Sequence, residues 1–234
     1  MNFLANLLTT LSLFSGFISI VFSLEGHFTL ASWAILSSVL FDGVDGQVAR
    51  LNPVPSEFGK ELDSLVDVVS FGIAPALLGY IFIYRQFYLV AVFALFLYLF
   101  CSVMRLAKYN ITPKEKMRKY FYGLPTTVSG GVLAAFILIY RGKVGTEVFE
   151  FAPPIFLLLV VVLSYLMVSR VRYLNLEGIK ELFGRRMLFV IALMFVIFIT
   201  AALLRKSGIT LAAYFLIYLI FSPFVVKFCL KDKE

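Results

Sequence analysis

The sequence is poor in the residues from which most metal centres, disulfide frameworks and solvent-exposed surfaces are built. It has one histidine, His27, and only 15% charged residues, against about a quarter in globular proteins. Its two cysteines, Cys101 and Cys229, fall in or near apolar runs, which argues against a disulfide framework. It contains no Walker loop, Rossmann glycine pattern or nucleic-acid module. These absences exclude histidine-rich metal sites and argue against histidine-based catalysis and nucleic-acid binding.

Apolar residues are abundant instead, at 61% of the 234 residues, and they fall into runs near the roughly 20 residues that cross a bilayer. We predict an all-α polytopic membrane protein, with a separate interfacial helix over residues 1–8. The eight predicted spans are about 8–24, 28–49, 58–84, 87–109, 124–141, 153–169, 187–204 and 209–227. The first run has no preceding Lys or Arg, so it lacks the basic start of a cleaved signal peptide. Pro75, in the third span, is predicted to kink that helix.

The distribution of basic residues predicts the orientation of the spans. With eight spans, both termini lie on one side of the membrane. Most of the 21 Lys and Arg residues fall on that side, chiefly in the loop 110–123, the linker 170–186 and the tail. An excess of Lys and Arg marks cytoplasmic loops, where they also meet anionic lipid heads. We therefore expect a multi-pass protein of the cell membrane, with both termini in the cytosol.

Four aspartates, Asp42, Asp45, Asp63 and Asp67, lie close together in this otherwise apolar chain, within DGVDGQVARLNPVPSEFGKELDSLVD. A carboxylate within a membrane span costs about 2.5–3.5 kcal/mol on insertion scales. Binding of cations is the simplest way to offset this cost of placing carboxylates in a membrane span. The two prolines between the pairs end the second span, so the third span returns beside it.

Helical spacing places these aspartates on facing surfaces. The second span carries Asp42, Asp45 and Ala49 on one face, and the third carries Gly59, Asp63 and Asp67. Oxygen-only sites suit Mg²⁺, Mn²⁺ or Ca²⁺. Two such ions would balance four carboxylates, and at roughly 3.5–4 Å apart they stabilise phosphoryl transfer. Arg50 adds a fork for a phosphate oxygen, and Gly46 and Gly59 let a bulky substrate approach the backbone.

The pattern D-x-x-D-G-x-x-A-R, then eight residues, then G-x-x-x-D-x-x-x-D resembles the signature of the CDP-alcohol phosphotransferase family. Every fixed position is met: Asp42, Asp45, Gly46, Ala49, Arg50, Gly59, Asp63 and Asp67. The stretches ELDSLVDVVSFGIAPA, RLAKYN, FYGLPTT and MVSRVRYLNLEGIK are similar to the membrane-integral CDP-diacylglycerol–serine O-phosphatidyltransferases. The similarity covers roughly 1–182. It implies a six-helix catalytic core over 1–182 and a two-span extension over 183–234.

The resemblance implies metal-dependent transfer of a phosphatidyl group from CDP-diacylglycerol to the hydroxyl of L-serine, with release of CMP. It implies two divalent cations held by Asp42, Asp45, Asp63 and Asp67, with Asp67 also acting as general base. It implies phosphate and nucleotide binding by Asp45, Gly46, Ala49, Arg50 and Gly59. It further implies a homodimer in contact with membrane lipids.

The acceptor site is less constrained by sequence. Arg105, at the end of the fourth span, is the first candidate for the serine carboxylate, followed by Asn110, Lys119 and Thr126. Arg105 is equally explained as the positive end of a span. Alternatives are another acceptor alcohol (glycerol 3-phosphate, inositol phosphate or choline), an archaeal ether-lipid donor, a non-catalytic metal or lipid-binding scaffold, and a cation transporter. Against a transporter, Arg50 would repel a cation and the aspartates lie at one membrane face.

Overall fold

The computed structural model describes residues 2–50, 57–112, 120–141, 151–175 and 207–229. These residues form α1 (Asn2–Leu24), α2 (Phe28–Arg50), α3 (Glu57–Asp67), a π-helical turn (Val68–Ile73), α4 (Ala74–Ile111), β1 (Tyr120–Tyr122), α5 (Thr126–Arg141), α6 (Ala152–Val168), β2 (Arg172–Leu174) and α7 (Ser207–Cys229). The predicted seventh span, 187–204, lies outside the described residues.

Five helical stretches in the described part of the chain are long and apolar enough to cross a membrane. They are Leu4–Leu24, Phe28–Val48, Glu57–Tyr84, Gln86–Ile111 and Gly208–Val226, and two shorter apolar helices cover Thr126–Tyr140 and Ala152–Val168. Large apolar side chains are exposed on the outside of these helices, including Phe93 at 71%. This outward apolar surface suits a lipid environment. The predicted division between residues 1–8 and the first span is wrong, because α1 is one continuous helix.

The third and fourth spans form an almost continuous helical path. Helix α4 is interrupted at Phe87, which has non-helical φ and ψ angles of −137° and 51°. This break lies next to the predicted turn at Arg85 and Gln86. The chain reverses direction at this break, because Tyr98 beyond it bonds to Phe71, which precedes α4.

Just before Pro75, where the sequence predicts a kink, the helix runs as the π-helical turn Val68–Ile73. Proline has no N–H to donate to the carbonyl four residues earlier, which belongs to Phe71. The Tyr98 hydroxyl donates to that carbonyl at 2.9 Å and also lies 3.1 Å from the Ser129 hydroxyl. The π-helical turn, the second half of α4 and helix α5 are therefore joined by one buried polar contact.

The first two helices approach each other and the π-helical turn through small polar side chains. The hydroxyls of Ser12 and Ser38 lie 2.7 Å apart, and Ser70 donates to the Ser12 carbonyl at 3.2 Å. A Cβ on Gly16 would collide with Ser70. Small residues let membrane helices pack at short distances without a water-driven hydrophobic force. This packing fixes the third span against α1 and α2.

The described chain is mostly helical, as predicted, but it also contains two short strands that the all-α prediction did not include. Strands β1 and β2 pair antiparallel, with Tyr120 opposite Leu174 and Tyr122 opposite Arg172. The Arg172 guanidinium lies 4.7 Å from the ring centroid of Tyr120. Both segments were predicted to lie in basic loops. Their pairing joins two loops that are far apart in the sequence.

Candidate active site

Three aspartates from two helices come together at one end of the bundle. Asp42 of α2 and Asp63 and Asp67 of α3 each offer a carboxylate oxygen, and these oxygens all lie within 4.8 Å of one another. Helical periodicity explains the arrangement, since residues four apart lie on the same face of α3. Two like charges 4 Å apart repel by about 4 kcal/mol at an effective dielectric constant of 20. The cluster therefore needs a compensating positive charge.

Asp45 lies beside this cluster, with 3% of its surface exposed. It is close enough to Asp63 for the two carboxyl groups to interact electrostatically. The Thr9 hydroxyl of α1 lies within hydrogen-bonding reach of the Asp45 carboxyl group. The four predicted aspartates thus share one region, although only three form the tight group. Thr9 was missed by sequence reasoning, because no spacing rule connects α1 to α2.

The donor set fits a divalent cation. Asp45 Oδ2 and Asp67 Oδ1 are buried and have no hydrogen-bond partner among the described residues. Buried polar atoms in native proteins nearly always have a partner, so such orphaned oxygens need an explanation. Carboxylate oxygens alone suit Mg²⁺ or Mn²⁺ rather than softer metals. The unsatisfied oxygens and the carboxylate-only composition both fit an oxygen-coordinated ion.

Open space lies next to the aspartates on the α2 side. Among the residues that the structure describes, none has an atom within 4 Å of a Cβ built on Gly46, and the same is true at Gly43. This is the room that a bulky phosphate-bearing substrate would need. Gly59 is partly buried near the start of α3. The backbone of α2 extends to Arg50, but the side chains of Ala49 and Arg50 lie outside the described part of the protein.

Arg105 of α4 is a cation that interacts with the cluster. It is 9% exposed, and its guanidinium interacts electrostatically with Asp67 and Asp42. Its Nη1 donates to the Thr126 hydroxyl at 3.1 Å, while its Nε is buried without a partner among the described residues. Arg105 is therefore a buried cation in the site. The alternative that it marks only the end of a span does not explain these contacts.

The other acceptor candidates have different surroundings. Thr126 is fully buried and holds Arg105. The Asn110 amide donates to the Ser64 hydroxyl at 2.9 Å, and Lys60 donates to the Asn110 carbonyl at 3.0 Å. Asn110 therefore fastens the end of α4 to α3. Lys119 lies outside the described residues.

Comparison with known proteins agrees with the motif. A sequence profile described as CDP-alcohol phosphatidyltransferase matches residues 2–167. A protein of Helicobacter pylori (strain ATCC 700392 / 26695) named CDP-diacylglycerol--serine O-phosphatidyltransferase is 32% identical over 216 residues, which is 91% of this chain and 87% of that protein. A Saccharomyces cerevisiae protein of the same name is 41% identical over 136 residues, 52% of this chain and 49% of that protein.

An archaeal protein is also similar. The protein of Methanothermobacter thermautotrophicus named archaetidylserine synthase is 34% identical over 177 residues, 75% of this chain and 71% of that protein. The profile match covers every residue of the aspartate motif. The family resemblance predicted from that motif is thereby confirmed.

Proposed function

This chain belongs to the CDP-alcohol phosphatidyltransferase family and is an integral membrane transferase of phospholipid synthesis, and we propose that it transfers a phosphatidyl group from CDP-diacylglycerol to L-serine. The products would be phosphatidylserine and CMP. The observation that carries the proposal is the cluster of Asp42, Asp63 and Asp67 carboxylates beside the buried Arg105. Proteins named for the same reaction in Helicobacter pylori and yeast support the choice of acceptor.

In the proposed site, Asp42, Asp45, Asp63 and Asp67 would hold two divalent cations, either Mg²⁺ or Mn²⁺, with Ca²⁺ as a further possibility. When bound, these ions would neutralise charge on the phosphate oxygens of the donor. Asp45, Gly46, Ala49, Arg50 and Gly59 would bind the nucleotide and phosphate groups. The open space at Gly46 supports this assignment, because the donor's phosphates must lie against the backbone there.

Asp67 is the proposed general base. Its carboxylate has two oxygens, so one could contact a cation while the other accepts the proton, and Oδ1 has no hydrogen-bond partner among the described residues. The serine hydroxyl oxygen would form a bond to the phosphorus that carries the lipid. The bond from that phosphorus to the CMP oxygen would break, and the serine hydroxyl proton would pass to Asp67. A base must lie within hydrogen-bonding reach of the proton it removes, and Asp67 lies inside the carboxylate cluster.

Arg105 is the proposed partner of the serine carboxylate. An arginine fork matches a carboxylate with two parallel hydrogen bonds, and Arg105 Nε is buried without a partner among the described residues. Its position next to Asp67 would place the hydroxyl of the bound serine near the base. Asn110, Lys119 and Thr126 are weaker candidates, and two of them already bond to other protein groups.

We further propose the membrane arrangement that the sequence predicts. Eight spans would comprise a six-span core over 1–182 and a two-span extension over 183–234. The active site and both termini would face the cytoplasm, where serine and CMP are dissolved. The enzyme would form a homodimer in contact with membrane lipids.

A second candidate keeps the chemistry but changes the donor. The similarity to a protein named archaetidylserine synthase supports an ether-linked donor lipid as an alternative to the ester-linked one. The remaining alternative is the same transfer reaction with a different acceptor alcohol, such as glycerol 3-phosphate, inositol phosphate or choline. Membership of a transferase family leaves the cation-transporter hypothesis without support.

The test is a lipid product assay with purified protein in mixed micelles. We expect labelled serine to enter phospholipid only when a CDP-linked lipid is present, and chelation of divalent metal to abolish incorporation. Ester- and ether-linked donors, each with a panel of acceptors, would be compared in parallel. Incorporation of glycerol phosphate but not serine would overturn the choice of acceptor. Full activity in the presence of the chelator would overturn the metal assignment.

A further inference from the structure

Helix α7 lies beyond the residues that the family profile matches, yet it bonds directly to a strand near the site. The Tyr218 hydroxyl donates to the Leu174 carbonyl at 2.8 Å, and the Leu174 N–H donates to the Ser222 hydroxyl at 2.6 Å. Tyr218 and Ser222 are four residues apart and therefore share one face of α7. Both backbone groups of Leu174 are thus bonded by one helix.

The strand that α7 holds is in turn paired with the segment that leads into α5. Strand β2 pairs with β1, and the Gly123 N–H donates to the Val171 carbonyl at 2.8 Å. Gly123 has a φ of 78°, and a Cβ there would collide with the Met167 carbonyl oxygen. Only glycine is readily accommodated under both constraints. The path of the chain from β1 into α5 is therefore fixed closely against β2.

This segment ends at Thr126, which is the described residue that bonds the Arg105 guanidinium. The Tyr218 phenol also lies near the Arg105 guanidinium. The Tyr218 ring also stacks on Tyr173 of β2, with centroids 6.0 Å apart. Helix α7 is therefore linked to Arg105 through the two strands and Thr126.

We infer that helix α7 is the part of the protein that positions Arg105 for the acceptor, with Tyr218 and Ser222 as the positioning residues. The inference rests on the proposed role of Arg105 in binding the acceptor carboxylate. Because Thr126 is the partner of Arg105 Nη1 among the described residues, a shift of the β1–β2 pair would move the guanidinium relative to Asp67. Helix α7 thereby controls the affinity for the acceptor, while the aspartates that bind the donor belong to α2 and α3.

The experiment uses the full-length enzyme and compares Tyr218→Phe and Ser222→Ala with wild type. Tyr165→Phe is the matched control, since it removes the same hydroxyl from a ring that is 72% exposed on α6. For each protein we would measure kcat, the KM for serine, the KM for CDP-diacylglycerol as a mole fraction in micelles, and the midpoint of thermal unfolding in detergent.

We expect each α7 variant to raise the serine KM about three- to tenfold, the effect of losing one hydrogen bond. The KM for CDP-diacylglycerol should stay at the wild-type value, as should every parameter of Tyr165→Phe. A merely structural role would lower the unfolding midpoint and the amount of active enzyme without changing the serine KM. Unchanged serine KM values in both α7 variants would therefore overturn the inference.

Failure of the proposed function would look different. If wild type incorporates no serine but uses another acceptor, the function assigned above is wrong. The positioning role of Tyr218 and Ser222 is then tested by measuring the KM for that other acceptor in the same variants. If one α7 variant does not fold, the other decides the question, because Tyr218 and Ser222 bond to the same residue.

Discussion

The two sides of the candidate site are built in different ways. The carboxylate side comes from α2 and α3, which are neighbours in sequence, and its three clustered aspartates lie within 26 residues of chain, from Asp42 to Asp67. The cationic side comes from Arg105 and Thr126, supported by β2 and α7, whose residues are scattered up to Ser222. The first side depends on helical periodicity, and the second depends on long-range packing. Variants on the two sides should therefore fail differently.

The largest expected effect is on the carboxylate side. Asp67→Asn should lower kcat by about 10²–10⁴-fold, because the amide cannot accept the serine proton. Binding of the CDP-linked donor and the thermal unfolding midpoint should be preserved. The measurement is single-turnover formation of labelled phospholipid, with donor binding followed separately.

The matched control for Asp67→Asn is Glu61→Gln, which removes one carboxylate from an exposed position on the same helix. This control should keep wild-type kcat. Substantial transfer by Asp67→Asn would remove Asp67 from the base role and assign that role to another carboxylate in the cluster.

The next effect is on the cationic side. Arg105→Met should raise the serine KM by about 10- to 100-fold, the range for losing a hydrogen bond to a charged group. Removing one partner of a buried charge pair leaves the other uncompensated and costs about 3–5 kcal/mol, so the unfolding midpoint of this variant should also fall. Steady-state kinetics with serine varied at saturating donor would measure the change.

Lys108→Met is the control for Arg105→Met, since Lys108 is an exposed cation one turn further along α4. It should leave the serine KM unaltered. Equal effects of the two substitutions would mean that general positive charge, and not the fork of Arg105, attracts the acceptor.

A smaller effect, on stability, is expected where the chain turns from β1 into α5. Gly123→Ala should destabilise the protein by about 1–3 kcal/mol, the range for a non-glycine residue held in the left-handed region. Collision with the Met167 carbonyl adds to this penalty. The thermal unfolding midpoint in detergent should fall. Gly43→Ala, at a helical position with open space, should not lower it.

The smallest effect concerns the link between α3 and α4. Asn110→Ala should lower the free energy of unfolding by about 1 kcal/mol, because it removes the reciprocal hydrogen bonds with Ser64. The serine KM should remain at the wild-type value if Asn110 only fastens the two helices. A rise in the serine KM with no change in the unfolding midpoint would instead indicate that Asn110 helps to bind the acceptor.

Much of the carboxylate side could be predicted before the structure was known. Asp63 and Asp67 share a helix face because residues four apart always do, and Asp42 of α2 joins them in one cluster. The sequence placed Asp45 in the same region as the other three aspartates. It did not predict that Asp45 lies outside the tight group that those three form. Its separation from the tight group depends on the packing of α1, which brings Thr9 beside it.

The cationic side could be predicted only as a set of candidates. Arg105 and Thr126 were both named, but their contact was not, because no pattern relates residues 21 positions apart on different helices. The strands β1 and β2 were taken for loops, since three residues are too few for a visible alternation. Tyr218 received no role, because its partner at Leu174 lies 44 positions away.

The sequence by itself determined that the chain is a helical membrane protein, that it belongs to its family, and that four aspartates would share one region. Hydrophobic run length and helical periodicity are local properties, so they can be seen without a fold. Only the tertiary structure decided that Arg105 is a buried cation beside Asp67 and that helix α7 supports it. Those contacts join segments far apart in the chain, and their positions follow from how all the helices pack at once.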